Sequence, residues 1–460
     1  MGRLSIMWKW KQESGRVLIF DERKDKKMIC KNVGVNKEDH LTFAGQDTLD
    51  LAAQYGTPLY LMDEDRIREN CRVYKRAFEK YFPGKGKPLF ASKANCFKRI
   101  YEIMTEEDFG IDVVSTGEIF TALKAGYDLQ NAYFHSNNKT DWDIAYAMKH
   151  KIGYFVVDNI EEMNAIDAEA ARQGKVQKVL LRLTPGIDTH TYAAVQTGQV
   201  DSKFGSAIET GQAEEITVLT LAKEHVELVG FHCHLGSQIF EEDVFERGAQ
   251  IMLEFIAQMK EKHGYVTEQL DLGGGYGVRY TEADPVLDIE TKIGEVAARI
   301  DACCKELAID MPEIHMEPGR SIVADAGMTL YTVGTVKRIP AYKNYVSIDG
   351  GMPDNPRFAL YQSSYTCYAA GRMAQECDME ASIVGRCCES GDIIQEHVMV
   401  PSEVCRGDII AVLTTGAYNY SMASNYNRIG RPPIVMVKND GSSYVAVRRE
   451  SLEDLTRNDL

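Results

Sequence analysis

Lys93 ends an apolar run and opens onto small residues, in "PLFASKANCF". A lysine so placed has two readings. It can be a rim lysine whose stem packs while its head reaches water. It can also be a nucleophilic amine, freed by desolvation to form an imine with a carbonyl compound. Other polar residues fall in similar places. His135 closes "AYFH" and His234 follows "LVGFHC". Gly273, Gly274 and Gly275 follow "QLDL"; Glu317, Gly319 and Arg320 follow "EIHM". The glycines of "DLGGGYG" leave backbone N–H groups open to an anion, and they would equally serve a tight turn. Glu317 suits a rim salt bridge, or a carboxylate that holds a proton on a partner. His234 suits a structural role, or a ring stacked on a ligand.

What matters is where such residues sit, so the elements come next. Nine short β-branched or aromatic runs are strand candidates: 58–62, 88–92, 111–114, 132–135, 154–157, 178–183, 227–232, 269–272 and 313–316. Helical patterns lie between most of them, at 116–125, 140–150, 160–173, 212–224, 240–263 and 286–308. After the first run, Ile67, Cys71, Tyr74, Phe78 and Tyr81 recur at spacings of four and three, which marks one helix face, with Asp63 placed to cap it. Strands alternating with helices imply parallel pairing. A closed (β/α)8 barrel takes eight strands, so one end candidate is misassigned or belongs to a second domain; an open doubly wound sheet is the rival. Past residue 325 the pattern changes to strand-like runs separated by turns, such as "MTLYTVGTVKRIP", "MEASIVGR" and "DIIAVLTTG". These predict an antiparallel β domain, which "GRVLIFDE" (15–22) and "HLTFAG" (40–45) could join. The expected division is a barrel over 46–325 and a β domain from 1–45 and 326–460.

The bulk numbers agree with a multidomain globular chain. It has 460 residues, of which 44% are hydrophobic and 26% charged. The net charge of −16 argues against a nucleic-acid or anionic-membrane partner. Eleven cysteines with no CxxC spacing indicate neither zinc nor a disulfide framework and suit a reducing cytoplasm. No signal peptide or membrane-spanning run is expected, and no metal.

In a barrel, the residues that follow strands share the face that holds the active site, and phosphate groups commonly bind on the last two loops. Here those loops carry "GGG" and "EPGR". A phosphate cradle, an imine-forming Lys93 and a carboxylate at Glu317 on one rim suit pyridoxal phosphate. Glu317 would keep the pyridine nitrogen protonated and so make the ring an electron sink.

Nine motifs then carry a family resemblance over residues 40 to 440. They are "SKAN" (92–95), "VVSTGE" (113–118), "HSNNK" (135–139), "GFHCHLGSQ" (230–238), "DLGGGYG" (271–277), "EPGR" (317–320), "DGGM" (349–352), "CESGD" (388–392) and "TTGAYNYSMASNYN" (414–427). The chain resembles the diaminopimelate decarboxylases, pyridoxal phosphate enzymes of fold type III with an alanine-racemase-like barrel.

The resemblance implies a role for each matching residue. Lys93 forms the Schiff base with the cofactor and His234 lies against its ring. Ser237, Gly273, Gly274, Gly275, Gly319 and Tyr418 hold or flank the phosphate. Glu317 pairs with the ring nitrogen. Arg320, Arg357, Tyr361 and Tyr418 surround the substrate's distal carboxylate. Cys388, the proton donor or relay, and Glu389, a partner for the distal ammonium, come from the second subunit of a homodimer with shared sites. The implied reaction is decarboxylation of meso-2,6-diaminopimelate to L-lysine, the last step of lysine biosynthesis. Relatives acting on ornithine would place an acidic residue where Arg357 sits. Three readings compete: another fold type III decarboxylase of a basic amino acid or carboxylated polyamine, a racemase, and a catalytically silent binding protein. Arg357 argues against the first. Glu317 argues against the second, and Lys93, Cys388 and Glu389 together against the third. The chain departs from the family pattern at Ser136, Phe358, Arg386 and Cys387. These positions touch the distal pocket and the partner-supplied loop.

Overall fold

The computed structural model describes residues 28–187 and 202–460. Eight parallel strands close on themselves: β1 (Gly86–Ala91), β2 (Gly110–Val113), β3 (Ala132–Phe134), β4 (Tyr154–Val157), β5 (Gln177–Thr184), β6 (Val226–His232), β7 (Gln269–Asp271) and β8 (Glu313–Met316). Closure is made by β8 pairing with β1, Ile314 opposite Gly86. The expected (β/α)8 barrel is therefore the fold.

Alternation along the strands sorts the side chains. Phe90, Ile111, Phe134, Phe155, Leu270 and Ile314 point outward into the apolar layer beneath the helices. Leu89, Tyr133, Val156, Leu180 and Val229 fill a small inner core, where Tyr133 stacks on Tyr154 with ring centroids 4.4 Å apart. One step further along these strands, the inward positions turn polar: Asp112, His135, His232, Asp271 and Glu317, all buried. The barrel is thus plugged by apolar side chains at its floor and lined by ionisable ones at its mouth.

The ninth strand candidate belongs elsewhere. Leu59–Asp63 pairs antiparallel with Gly327–Ile339 and parallel with Ile434–Val437, in a second nine-stranded sheet. Asp63 ends that strand and caps helix Glu64–Tyr81, its carboxylate accepting from the Arg66 N–H. Ile67, Cys71, Tyr74 and Phe78 form the buried helix face, as their spacing predicts. Most pairings in the second sheet are antiparallel. The exceptions are that of Leu59–Asp63 with Ile434–Val437 and that of Lys343–Ile348 with Met379–Val384. Leu41–Phe43, from the expected "HLTFAG" run, lies in a separate three-stranded sheet. That sheet shares an apolar core with Leu59, Met328, Leu413 and Val435 of the larger one. The run at 15–22 lies outside the described residues.

Candidate active site

A cavity of about 160 Å³ opens at the carboxyl ends of the barrel strands, where the β domain meets them. Its walls include Lys93, His234, Ser237, Gly275, Glu317 and Gly319 from the barrel. Arg320 follows β8, and Arg357, Tyr361 and Tyr418 come from the C-terminal part of the chain. Gly273 and Gly274 lie directly beneath: a Cβ on Gly273 would sit 2.8 Å from His234 Nδ1. One on Gly274 would sit 2.2 Å from the Glu317 carbonyl oxygen. Gly273 and Gly275 also have φ of +67° and +119°, which only glycine adopts without strain. Both constraints explain a glycine run at this turn. Cys388 and Glu389 are exposed and line no part of this cavity.

Lys93 follows β1 in a single turn of 3₁₀ helix, Ser92–Ala94, pinned by the Tyr418 N–H bonding to the Ala94 carbonyl at 2.7 Å. Its Nζ lies 3.8 Å from Asp112 Oδ2. Desolvation was expected to lower this amine's pKa. Burial does push it down, but Asp112, with Tyr418 and Glu317, more than compensates and holds it above the ordinary lysine value. The amine faces the Asp112 carboxyl without a direct hydrogen bond to it.

Glu317 sits among histidines. His232 Nε2 lies 3.3 Å from its Oε2. His135 Nε2 is 2.7 Å from its Oε1, although neither atom has an aligned hydrogen bond. Burial alone would raise this carboxyl, yet His135 and His232 keep it well below the usual range. It is an ionised carboxylate in a closed pocket. Asp271, which completes the quartet, accepts from the Gly273 N–H at 2.8 Å. Burial and Glu317 drive its carboxyl well above the usual value. His234 accepts from the Gly274 N–H at 3.2 Å. Burial, then Lys93, keeps its imidazole neutral.

The two arginines are gathered by one ring. Arg320 Cζ is 4.7 Å and Arg357 Cζ 5.3 Å from the Tyr418 ring centroid. Tyr418 itself has φ +63°, a strained conformation for a tyrosine. Arg320 donates to Tyr280 Oη at 2.7 Å and to Ser237 Oγ at 2.8 Å. Arg357 makes one long bond, 3.3 Å to Ser363 Oγ. The Nε of each arginine is buried without a partner.

These features test the expected cofactor. Buried Arg320 Nε and Arg357 Nε have no partner, and Glu317 Oε1 has no aligned hydrogen bond; all three call for polar groups from a ligand. The glycine turn packs so closely on Cys233, Gly236 and Glu317 that no side chain can stand at its edge of the cavity, and Lys93 supplies an amine. An aromatic cation with a phosphate and an aldehyde answers the set, so the residues fit pyridoxal phosphate. Sequence reasoning passed over Asp112, His232, Asp271 and Tyr280. The signal for the first three was a charged or imidazole side chain at an inward position of an apolar strand. Tyr280 carried no local signal, since its value lies in meeting Arg320, 40 residues away.

The fold and the site together define a pyridoxal phosphate-dependent decarboxylase. Residues 64–324 match the family model described as "Pyridoxal-dependent decarboxylase, pyridoxal binding domain". The diaminopimelate decarboxylase of Bacillus subtilis (strain 168) is 43% identical over 426 residues, covering 92% of this chain and 96% of the relative. That of Staphylococcus aureus (strain COL) is 44% identical, covering 93% and 99%. Among solved structures, the diaminopimelate decarboxylase of M. jannaschii in complex with L-lysine superposes with a TM-score of 0.86 at 32% identity, covering 94% of this chain and 98% of that one. The chain belongs to the diaminopimelate decarboxylase family.

Proposed function

We propose that the protein decarboxylates meso-2,6-diaminopimelate to L-lysine, in a homodimer whose two sites are each completed by the partner chain. The observation that carries this is the pairing, in one cavity, of Lys93 and an ionised Glu317 with two buried arginines whose Nε groups have no partner. The first pair suits the cofactor, and the second suits a carboxylate that is not the one lost.

Pyridoxal phosphate, when bound, supplies the electron sink for the pair left on the α-carbon as CO2 departs. The chain's own residues do the rest. Lys93 Nζ would hold the cofactor, with the Asp112 carboxyl 3.8 Å from it. Glu317 keeps a negative charge at the ring nitrogen, sustained by His135 and His232. His234, held neutral and fixed by the Gly274 N–H, would lie beside the cofactor as part of the cavity wall. Backbone N–H groups of Gly275 and Gly319, with Ser237 and Tyr418, would form the phosphate seat; the N–H groups of Gly273 and Gly274 are bonded to Asp271 and His234, so those two glycines shape the turn beneath it. Arg320 and Arg357 take the distal carboxylate, with Tyr361 beside them. Charge-assisted, fork-shaped bonds suit that group.

Cys388 and Glu389 act in the neighbouring site. Their exposure, away from their own chain's cavity, supports that placement. Cys388 Sγ returns the proton to the former α-carbon and Glu389 receives the distal ammonium. Eleven cysteines without a disulfide support a reducing, cytoplasmic setting.

The test is CO2 release by purified protein, with and without added pyridoxal phosphate, from meso-diaminopimelate, ornithine, lysine and arginine. Turnover of diaminopimelate alone, dependent on the cofactor, is expected. Preference for ornithine or arginine would refute the substrate assignment.

A further inference from the structure

Residues 385–392 carry Cys388 and Glu389, and they fold around one buried side chain. Asp392 is 4% exposed. Its Oδ2 accepts from the Cys387 N–H at 2.7 Å and its Oδ1 from the Met352 N–H at 2.6 Å. Its backbone closes the same loop: the Gly385 N–H bonds to the Asp392 carbonyl at 2.9 Å, and the Asp392 N–H to the Glu389 carbonyl at 3.2 Å. Two glycines make room for the carboxylate. A Cβ on Gly385 would lie 2.2 Å from Asp392 Oδ2, and one on Gly351 2.5 Å from Oδ1. A second buried carboxylate secures the far side. Asp354 accepts from the Gly351 N–H at 3.0 Å and from the Tyr331 hydroxyl. Asp392 thus joins two segments: the loop bearing Cys388, and the turn at 350–354 that leads directly into Arg357.

We infer that Asp392 is a positioning residue that holds Cys388 in place for the partner's active site. It does so by fixing the Cys387 N–H and the loop behind it. It touches neither substrate nor cofactor; Cys388 is the group that does. The inference rests on the shared-site reading above, since Cys388 lines no part of its own chain's cavity. The same carboxylate grips Met352, five residues before Arg357.

The test is subunit complementation. Asp392→Asn keeps the shape of the side chain but replaces one acceptor with a donor facing a backbone N–H. Alone, it is expected to lower kcat about 10- to 100-fold, the cost of misplacing a reacting group by about 1 Å. Cofactor affinity stays unchanged. Mixed with Lys93→Ala and allowed to exchange subunits, it should regain about a quarter of wild-type activity, because half the dimers are mixed and each has one intact site. A Lys93→Ala plus Cys388→Ala mixture is the control. Recovery in the control but none with Asp392→Asn overturns the inference while the shared-site reading stands. No recovery in either overturns both. Gly385→Ala, whose methyl must displace the carboxylate, is the second variant and should complement in the same way. A Gly385→Ala chain with undiminished kcat would also count against the role given to Asp392.

Discussion

Replacing Arg357 with methionine removes the guanidinium that lies over the Tyr418 and Tyr361 rings and keeps most of the stem. The magnitude follows from what Arg357 already spends on the protein. Its head is buried, makes one 3.3 Å bond to Ser363 and leaves Nε without a partner. Nearly all its donors are thus available to a ligand. Two hydrogen bonds to a carboxylate contribute about 1.5–3 kcal/mol each. Arg320 remains to hold part of the anion, so a net loss of about 3–4 kcal/mol is expected. That is a fall of about 100- to 1000-fold in kcat/KM for meso-diaminopimelate. The assay is steady-state CO2 release, run beside a spectrophotometric titration of the apoprotein with pyridoxal phosphate. Cofactor affinity should move by no more than about threefold, since the loss is worked from substrate contacts alone. Preference for diaminopimelate over lysine, which has no distal carboxylate, should collapse. An unchanged kcat/KM, or an equal loss in cofactor binding, would refute the role assigned to Arg357.

Two further predictions concern the frame and the cradle. Glu64 is buried beside Arg99 (2.7 Å), Arg68 (2.9 Å) and the Tyr444 hydroxyl (2.5 Å), linking the barrel's first helices to the β domain. Burial opposes its ionisation, but these three partners lower its pKa from 4.5 to about 2. A depressed carboxyl adds stability that is full above its unfolded pKa and disappears as pH falls towards the folded one. Glu64→Gln should therefore cost about 3 kcal/mol at pH 7, and the gap in urea midpoint between variant and wild type should shrink between pH 4.5 and 2. A pH-independent gap would show that the charge is not what stabilises. Gly274→Ala puts a methyl 2.2 Å from the Glu317 carbonyl. It should weaken cofactor binding at least about tenfold, since backbone must move to admit it; unaltered cofactor affinity would contradict the cradle.

How far this was legible in the sequence depends on whether a feature is local. Strand alternation and the residue after each strand are local, so Lys93, Glu317 and the glycines pointed to the barrel mouth. Which sheet a strand joins is not local. The run at 58–62 looks like a barrel strand, but its pairing partners lie near residues 330 and 435. The state of Lys93 was misjudged because Asp112 could not be placed beside it before β1 and β2 were paired. The two arginines were named without Tyr418's part in gathering them or Tyr280's in tying down Arg320. The first depends on a loop from the β domain folding back over the barrel, and the second on two neighbouring barrel loops meeting. Cys388 and Glu389 rest on resemblance alone, since a single chain leaves them outside the cavity.

The central claim, that Lys93 carries pyridoxal phosphate, is tested most directly by reducing the holoenzyme with borohydride and mapping the modified peptide by mass spectrometry. The expected result is a phosphopyridoxyl group on the peptide containing Lys93, absent from Lys93→Ala. The same group on any other lysine, including the buried Lys139, would contradict it.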